Sequence, residues 1–275
     1  MQAGNPSGTA RRTAVVRAIH MLEDRPAVFD DPLAVRIVGG DPRTPGYETS
    51  NAYRMRGFVV SRSRIAEEAI AAARARGVRR IVILGAGLDT YACRAGGGDV
   101  EVIEVDHPAT QAWKQAVLRE NGIAVPAGVR FVPIDFEHAG LRDGLAAAGV
   151  RPDAPTVFSW LGVSYYIPPE SFRATLAFVR DCGPGSEIVF DFMPPQEAVA
   201  KQEVDTFRRN IDSDEHPGEP FISFYRVDEL GAELHRIGFS AVEMMDNDTQ
   251  NARYFAGRAD DLRVIGGVYV ARARV

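Results

Sequence analysis

Two glycines and a downstream acid form the most informative pattern in the sequence. Residues 81–84 are four consecutive apolar residues that lead into Gly85, Ala86 and Gly87. A short apolar run that ends at glycine is typical of a buried parallel strand followed by a tight turn. Asp106 lies 21 residues after Gly85, at the end of a second apolar run. An acid about 20 residues after a glycine turn predicts a site for an adenosine-type ribose.

The residues that follow this glycine turn (85–87) argue against a pyrophosphate. A dinucleotide-binding turn has a third glycine, which lets the next helix approach the strand and present its amino end to the pyrophosphate. Thr90 occupies that position here, and Asp89 places a negative charge in the first helical turn. A carboxylate there repels a pyrophosphate but tolerates a cationic sulfonium. An NAD-dependent oxidoreductase is therefore a disfavoured alternative.

Other candidate residues follow the other predicted strands. Ligands of a parallel sheet bind at the carboxyl ends of its strands. The side chains expected at these ends are Asp106, His107, Asp135, Phe136, Leu161 and Tyr165. Together they suit a ligand with a ribose, an adenine and little phosphate. Asp106 and Asp135 could alternatively cap the helices that follow them.

The order of the predicted elements indicates a doubly wound, Rossmann-like α/β fold. Residues 1–78 are predicted to form an N-terminal helical cap and lid, with a disordered start over 1–10 and a loop over 41–50. Residues 79–275 form the sheet domain, with a cap insertion near 194–225. The predicted helices cover 13–22, 31–38 (with Asp31 as N-cap), 51–76, 108–120, 137–148, 168–181 and 227–237. The seven predicted strands cover 81–84, 100–105, 129–132, 156–161, 187–192, 240–245 and 264–272.

Composition narrows the classes of function. The chain has 275 residues, of which 45% are hydrophobic and 25% charged, as in an ordinary globular protein. A net charge of −5 argues against nucleic acid as the main partner. Two cysteines predict no disulfide framework and favour the cytoplasm. The sequence has no apolar run long enough for a membrane span and no histidine spacing typical of a metal site.

Several motifs occur in the order found in a known family. The glycine turn continues as Leu88-Asp89-Thr90, and residues 105–108 read Val-Asp-His-Pro. Further motifs lie at 13–14, 29–34, 61–64, 132–136, 160–167 and 218–225. Over most of the chain these motifs resemble the leucine carboxyl methyltransferase family, a branch of the class I S-adenosylmethionine-dependent methyltransferases. The resemblance includes bacterial members that methylate carboxyl or hydroxyl groups of natural products.

The resemblance implies S-adenosyl-L-methionine as cofactor and S-adenosyl-L-homocysteine as product. It implies that Arg62 holds the carboxylate of the cofactor and that Asp135 lies on its adenine side. Leu161 stands where the phosphatase-modifying members have a glutamate. The contact to the amino group of the cofactor must then come from a backbone carbonyl or be weaker, and a phosphatase substrate is disfavoured.

We expect an O-methyltransferase that acts on a small molecule. A sulfonium methyl group is already a strong electrophile, so the protein must mainly hold a nucleophile in line with it. A carboxylate is ionised at neutral pH and needs no base, whereas a phenol would gain from one. The sequence offers no evident base, which favours a carboxylate over the alternative of a phenol or hydroxyl group. A non-catalytic relative that only binds the cofactor is an alternative of another class.

The candidate site residues fall into three groups. Tyr165 is the candidate for orienting the acceptor. The candidates for binding the cofactor are Arg62, Gly85, Ala86, Gly87, Asp106, His107, Asp135, Phe136 and Leu161. The candidates for binding the acceptor are Arg17, Tyr166 and Phe224, with Arg54 and Arg56 as further contacts for a carboxylate. The expected partner is the small-molecule acceptor, and neither nucleic acid nor a membrane is expected. The sequence leaves open whether the chain forms a homo-oligomer.

Overall fold

The computed structural model describes residues 7–44, 52–95, 98–135, 140–211 and 220–275, and its centre is a seven-stranded sheet. The strands are β1 (Arg80–Leu84), β2 (Glu101–Asp106), β3 (Val129–Pro133), β4 (Thr156–Trp160), β5 (Glu187–Phe192), β6 (Ala241–Met245) and β7 (Tyr269–Arg274). Their order is β3-β2-β1-β4-β5-β7-β6, and β7 runs antiparallel to both of its neighbours while the other pairs are parallel. The predicted doubly wound, seven-stranded methyltransferase-type sheet is confirmed.

Helices surround this sheet. They are α1 (Gly8–Glu23), α2 (Ala34–Ile37), α3 (Ala52–Ala75), α4 (Tyr91–Ala95), α5 (Pro108–Glu120), α6 (Leu141–Ala147), α7 (Pro169–Asp181), α8 (Val204–Asn210), α9 (Val227–Ile237) and α10 (Asn247–Tyr254). Short 3₁₀ turns lie at Ser164–Tyr166, Gln196–Ala198 and Lys201–Glu203. No helix of the described residues is both long and apolar enough to cross a bilayer.

The central strands are mostly apolar because both faces of the sheet are covered. Every residue of β4 and β5 is buried, as expected for strands inside a parallel sheet. On one face Trp160 stacks on Phe172 of α7, with ring centroids 5.4 Å apart. Phe190 contacts both rings at 6.1 and 5.4 Å. This aromatic core fixes the strands whose carboxyl ends carry the candidate site.

The N-terminal helices share a second core with the insertion after β5. Its buried members include Val15 and Ile19 of α1, Phe58 and Val59 of α3, and Phe207 of α8. The two segments therefore pack as one layer over part of the sheet domain. The exact boundary between cap and sheet domain, drawn at residue 78, stays a prediction.

The structure corrects several local predictions. Helix α1 begins at Gly8, inside the stretch predicted to be disordered, because Ser7 caps it by accepting a 3.2 Å hydrogen bond from Ala10 N. Asp31 is not a helix N-cap, since α2 begins only at Ala34. Helix α10 was not predicted, and the last strand begins at Tyr269 rather than near residue 264. The first part of the predicted helix 137–148 lies outside the described residues.

Candidate functional site

The glycine turn lies at the carboxyl end of β1, where the strand order reverses between β1 and β4. Gly85 N and Ala86 N donate hydrogen bonds of 2.8 and 3.2 Å to the carbonyl oxygen of Val105 on β2. Gly85 has φ +65°, and a Cβ atom there would lie 2.3 Å from Cγ2 of Val163. Glycine is therefore required for both the backbone conformation and the space. The bare main chain forms a cradle at the point where α/β sheets bind ligands.

Asp106 is fixed to this turn by its own side chain. Its Oδ2 accepts a 2.6 Å hydrogen bond from Gly87 N, and its Oδ1 accepts one of 2.7 Å from His107 N. Burial raises the pKa of Asp106, and the two N–H donors oppose that rise. Each carboxylate oxygen can accept a further hydrogen bond. The carboxylate can thus receive hydroxyl groups from a ligand that lies on the glycine turn.

His107, rather than Asp106, is the residue that caps α5. Its Nδ1 accepts a 3.2 Å hydrogen bond from Ala109 N, so the neutral ring carries its proton on Nε2. Nε2 lies 3.7 Å from Oδ2 of Asp135, whose side chain is partly exposed. The structure thus brings Asp106, His107 and Asp135 together at the ends of β2 and β3. Phe136, predicted beside them, lies outside the described residues.

Asp89 contributes to the site through the helix that follows the turn. Its Oδ1 accepts a 2.7 Å hydrogen bond from Tyr91 N, at the start of α4. The amino end of this five-residue helix therefore already holds a carboxylate. This contact is consistent with the prediction that the turn does not receive a pyrophosphate.

Arg62 reaches from α3 to the ends of β4 and β5. Its Nη1 donates a 2.5 Å hydrogen bond to Oδ2 of Asp191, and both side chains are almost fully buried. Oδ1 of Asp191 accepts a 2.7 Å hydrogen bond from Gly162 N. A Cβ atom on Gly162 would lie 3.2 Å from Nη2 of Arg62. Asp191 therefore ties the guanidinium to the backbone that follows β4.

Sequence reasoning missed Asp191. The signal that could have identified it is an acid that interrupts the apolar residues after Glu187, near the carboxyl end of β5. A buried carboxylate in such a strand needs a cationic partner. Its partner lies 129 residues away, however, and no local pattern indicates which arginine it is.

Tyr165 joins this pair. Its hydroxyl oxygen lies 3.3 Å from both Nη1 of Arg62 and Oδ2 of Asp191. Burial, reinforced by the charge of Asp191, raises the pKa of Tyr165 well above its ordinary value. The phenol therefore stays protonated at neutral and moderately alkaline pH, and it can donate a hydrogen bond but cannot accept a proton from an acceptor.

Three aromatic rings lie on the cap side of this cluster. The ring centroids of Tyr165, Tyr166 and Phe221 are 4.7 to 5.0 Å apart. Ile222 N donates a 2.8 Å hydrogen bond to the carbonyl oxygen of Tyr165, which fastens the returning segment to the 3₁₀ turn. Phe224 is 36% exposed and lies 6.3 Å from Phe207 of α8. Of the two residues predicted to bind the acceptor, Tyr166 therefore lies in this aromatic cluster, whereas Phe224 packs towards α8.

Leu161 has an apolar environment. It is half-buried and packs against the apolar cluster that includes Ile65, Ala69 and Val189. Its side chain offers no polar contact to a ligand. Its position directly after β4 nevertheless keeps its backbone at the ligand end of the sheet.

The arginines predicted to contact the acceptor are engaged elsewhere. Arg17 donates a 2.6 Å hydrogen bond to the carbonyl oxygen of Leu88 and is almost fully buried. Arg54 donates to Oδ1 of Asn210 at 3.0 Å, and Nε of Arg56 lies 2.9 Å from Oδ2 of Asp24. This geometry favours structural roles for Arg17 and Arg56 over contacts with an acceptor.

A separate cleft of about 480 Å³ lies at the opposite end of the sheet. Among its lining residues, Arg79 pairs with Asp99 at 2.6 Å and Arg80 with Glu101 at 3.1 Å. These charges are mutually compensated at the amino ends of the strands, away from the glycine turn, so the cleft is not part of the site. Within the described ranges, no cluster of three histidine, cysteine or acidic side chains is arranged to hold a metal ion.

Known proteins share both the sequence and the fold. A family model described as leucine carboxyl methyltransferase matches residues 10–180. The Bacillus subtilis (strain 168) protein YktD is 32% identical over 200 residues, which are 72% of this chain and 66% of YktD. A protein of Mycolicibacterium paratuberculosis is 32% identical over 210 residues, 70% of this chain and 68% of the relative. The names of both relatives describe them as inferred S-adenosyl-L-methionine-dependent methyltransferases. The chain spans about two thirds of their length.

The fold is also similar to that of a solved structure. A DUF574 family protein from Streptomyces avermitilis superposes with a TM-score of 0.58 at 14% identity, covering 98% of this chain and 97% of that one. At this level of identity the likeness concerns the fold alone.

Proposed function

This chain belongs to the leucine carboxyl methyltransferase family of S-adenosyl-L-methionine-dependent methyltransferases, and from that premise we propose that it methylates a carboxylate oxygen of a small natural-product acceptor. The choice of a carboxylate rests on two polar groups, the phenol of Tyr165 and the carboxylate of Asp191. The phenol stays protonated, and Asp191 is paired with Arg62 at 2.5 Å. Neither group is suited to act as a general base, which favours an acceptor that arrives already ionised.

The residues present fit the cofactor. The turn at Gly85 lies at the carboxyl end of β1, where the strand order reverses, which is where sheets of this kind bind a nucleoside. The fixed carboxylate of Asp106 can accept hydrogen bonds from two ribose hydroxyls, and Asp135 with His107 lies where an adenine would follow. The guanidinium of Arg62 has donors besides Nη1 with which to bind an amino-acid carboxylate.

The protein's contribution is to bind and to orient. When bound, S-adenosyl-L-methionine supplies a methyl group on a cationic sulfur. Arg62 fixes one end of the cofactor site and Asp106 the other, and Asp191 holds Arg62 in place. Tyr165 donates its hydroxyl hydrogen bond to Asp191, which fixes the phenol beside Arg62, while the rings of Tyr166 and Phe221 line the acceptor side. Holding the acceptor oxygen in line with the methyl carbon is the main catalytic requirement.

Leu161 supports two features of the proposal. The cofactor's amino group cannot be held by this apolar side chain, so a backbone carbonyl near the ends of the strands takes that role. A phosphatase is disfavoured as the substrate. The same residue favours the competing proposal of a relative that binds the cofactor without turnover.

Calorimetric titration with S-adenosyl-L-homocysteine tests the cofactor. We expect the wild type to bind and Asp106→Ala to bind about 10- to 100-fold more weakly, because the variant loses hydrogen bonds to a charged group. Asp143→Ala, an exposed acid on α6, is the matched control and should bind like the wild type. Absence of binding to the wild type, or equal binding by Asp106→Ala, would contradict the proposal. Stabilisation by NADH instead would favour an oxidoreductase.

Transfer of a labelled methyl group tests the acceptor. A panel of aromatic and aliphatic acids should be compared with phenols of matched shape. A methyl ester releases its label as methanol in mild alkali, whereas a methyl ether does not. Alkali-stable product would support the phenol or hydroxyl alternative. Binding of the cofactor with no product across both panels would support the non-catalytic relative.

A further inference from the structure

A buried carboxylate connects the N-terminal cap to the glycine turn. Asp31, in the segment between α1 and α2, is 1% exposed. Its Oδ2 accepts a 3.1 Å hydrogen bond from Nε of Arg17, and its Oδ1 accepts one of 2.7 Å from the hydroxyl of Thr90. Thr90 lies three residues after Gly87, the last residue of the turn that the proposed function assigns to the cofactor. The motif at residues 29–34 thus supplies a contact that the proposed function does not use.

Arg17 makes a second connection to the same segment. Its Nη2 donates a 2.6 Å hydrogen bond to the carbonyl oxygen of Leu88, the residue after Gly87. The cap therefore holds the chain at Leu88 and at Thr90. Between these two points, Asp89 holds the start of α4 through Tyr91 N. Each residue from 88 to 90 thus has a fixed hydrogen bond.

The cluster is balanced in charge. Nε of Arg94, on α4, lies 3.4 Å from Oδ1 of Asp31 and donates a 3.0 Å hydrogen bond to the hydroxyl of Thr90. Arg94 also pairs with Glu67 of α3. Two arginines and two acids therefore form a network that joins α1, α3 and α4. A buried polar network whose members all have partners holds one arrangement rigidly.

We propose that Asp31 is a positioning residue for the cofactor. Through Arg17 and Thr90 it fixes residues 85–90, so that Gly87 N remains directed at the carboxylate of Asp106. A glycine-rich turn loses much conformational freedom when a ligand orders it, and a turn ordered beforehand binds more tightly. The inference rests on the proposed function only in naming the ligand.

Two pairs of variants test the role. Asp31→Asn removes the charge that Arg17 and Arg94 share, and Asp30→Asn, at the exposed neighbouring acid, is its control. Thr90→Val removes the hydroxyl at nearly constant shape, whereas Thr90→Ser retains it. We expect Asp31→Asn and Thr90→Val to raise the Kd for S-adenosyl-L-homocysteine roughly 5- to 30-fold. Asp30→Asn and Thr90→Ser should remain within about twofold of the wild type.

A merely structural role would lower the melting temperature but leave the Kd unchanged at a temperature where the variants are folded. That result would overturn the proposal. If Asp31→Asn does not fold, Thr90→Val decides alone, because it keeps every charge in the cluster.

Hydrogen exchange of the backbone amides of residues 85–91, in the absence of ligand, gives an independent readout. Exchange should be faster in Thr90→Val than in Thr90→Ser, and equal rates would overturn the inference. Absence of S-adenosyl-L-homocysteine binding to the wild type would instead contradict the proposed function, and the exchange measurement would still decide whether the cluster orders the turn.

Discussion

Arg62 and Asp191 form a buried ion pair at the ligand end of the sheet, with 2.5 Å between Nη1 and Oδ2. The two residues come from α3 and β5, so the pair ties the long N-terminal helix to the centre of the sheet. Because Oδ1 of Asp191 also binds Gly162 N, the guanidinium has a fixed position relative to the end of β4. The pair therefore serves the fold and the proposed cofactor site at once, and the two roles can be separated by substitution.

Asp191→Asn should strongly destabilise the protein. The substitution leaves the charge of Arg62 buried without a counter-charge, which costs about 3–5 kcal/mol. The free energy of unfolding in urea measures the loss. Asp181→Asn is the control, since Asp181 pairs with Arg180 and Arg142 at the surface and should contribute at most about 1 kcal/mol. Similar losses in the two variants would contradict the assignment.

A double variant separates stability from binding. Arg62→Met combined with Asp191→Leu replaces both charges by apolar groups, which is often neutral or stabilising for a buried pair. We expect it to recover much of the stability lost in Asp191→Asn. Binding of S-adenosyl-L-homocysteine should remain weak, because no guanidinium is present. Recovery of binding along with stability would show that Arg62 does not contact the cofactor.

Gly85→Ala should destabilise the protein more than a substitution at another glycine of positive φ. The new Cβ would lie 2.3 Å from Cγ2 of Val163, a β-branched side chain that cannot easily rotate away. Backbone strain and overpacking together should cost roughly 2–5 kcal/mol. Gly183→Ala is the control, because Gly183 has φ +84° with open space around its Cβ position.

The control should cost only about 1–2 kcal/mol, the strain of the left-handed conformation. Urea unfolding of the two variants measures the difference. An equal loss in both would mean that the turn can shift away from Val163, and the close approach would then not constrain the cradle.

Glu104→Gln should change how stability depends on pH. Glu104 on β2 and Lys114 on α5 are each 1% exposed, with 2.6 Å between Nζ and Oε2. Burial raises the pKa of Glu104 to about 7 from its ordinary value of 4.5, although Lys114 opposes the rise. Because the folded pKa is the higher one, the folded state holds an additional proton between pH 4.5 and 7. Stability is therefore lost as the pH rises through this window.

The expected loss from this group is at most about 3 kcal/mol across the window. Free energies of unfolding at pH 4.5, 6 and 7.5 should fall more steeply for the wild type than for Glu104→Gln. Glu120→Gln, at an exposed acid on α5, should keep the wild-type slope. Parallel curves for the wild type and Glu104→Gln would contradict the raised pKa.

Residues that follow strands were predictable from the sequence because the carboxyl ends of parallel strands share one edge. This rule alone brought Gly85, Asp106 and Asp135 together, and the structure places all three at that edge. Asp31 and Asp191 were not predictable in their roles. Thr90 lies 59 residues from Asp31 and Arg62 lies 129 residues from Asp191, and contacts at such separations leave no periodic or local pattern.

Two local errors have physical causes. Helix α10 was missed because its buried residues, Asn247 and Gln250, are polar and give no apolar face. Asp246 caps it by accepting a 2.8 Å hydrogen bond from Thr249 N. The last strand was predicted to begin too early because Val264, Ile265 and Val268 are apolar. Gly266 and Gly267 both have positive φ, which interrupts the extended chain until Tyr269.

Tyr165→Phe distinguishes an orienting phenol from a general base. Burial and the neighbouring Asp191 raise the pKa of Tyr165 well above its ordinary value, so the phenol stays protonated as the pH rises from 7 to 9. Between pH 7 and 9, the rate of methyl transfer should therefore change with pH in the same way in the wild type and in Tyr165→Phe. Its hydroxyl makes only 3.3 Å contacts to Arg62 and Asp191, so its removal should reduce kcat by about tenfold or less.

Loss of a general base lowers the catalytic rate by about 10²- to 10⁴-fold, so the measurement can distinguish it from a fall of about tenfold. Tyr166→Phe is the matched control on the adjacent ring, 4.7 Å away, and should affect the KM for the acceptor more than kcat. The decisive measurement is kcat at saturating cofactor and acceptor from pH 6 to 9. A hundredfold fall in Tyr165→Phe, accompanied by the loss of an alkaline limb, would mean that Tyr165 does accept a proton. The acceptor would then arrive protonated, and a phenol or hydroxyl group would replace the carboxylate as the methylated group.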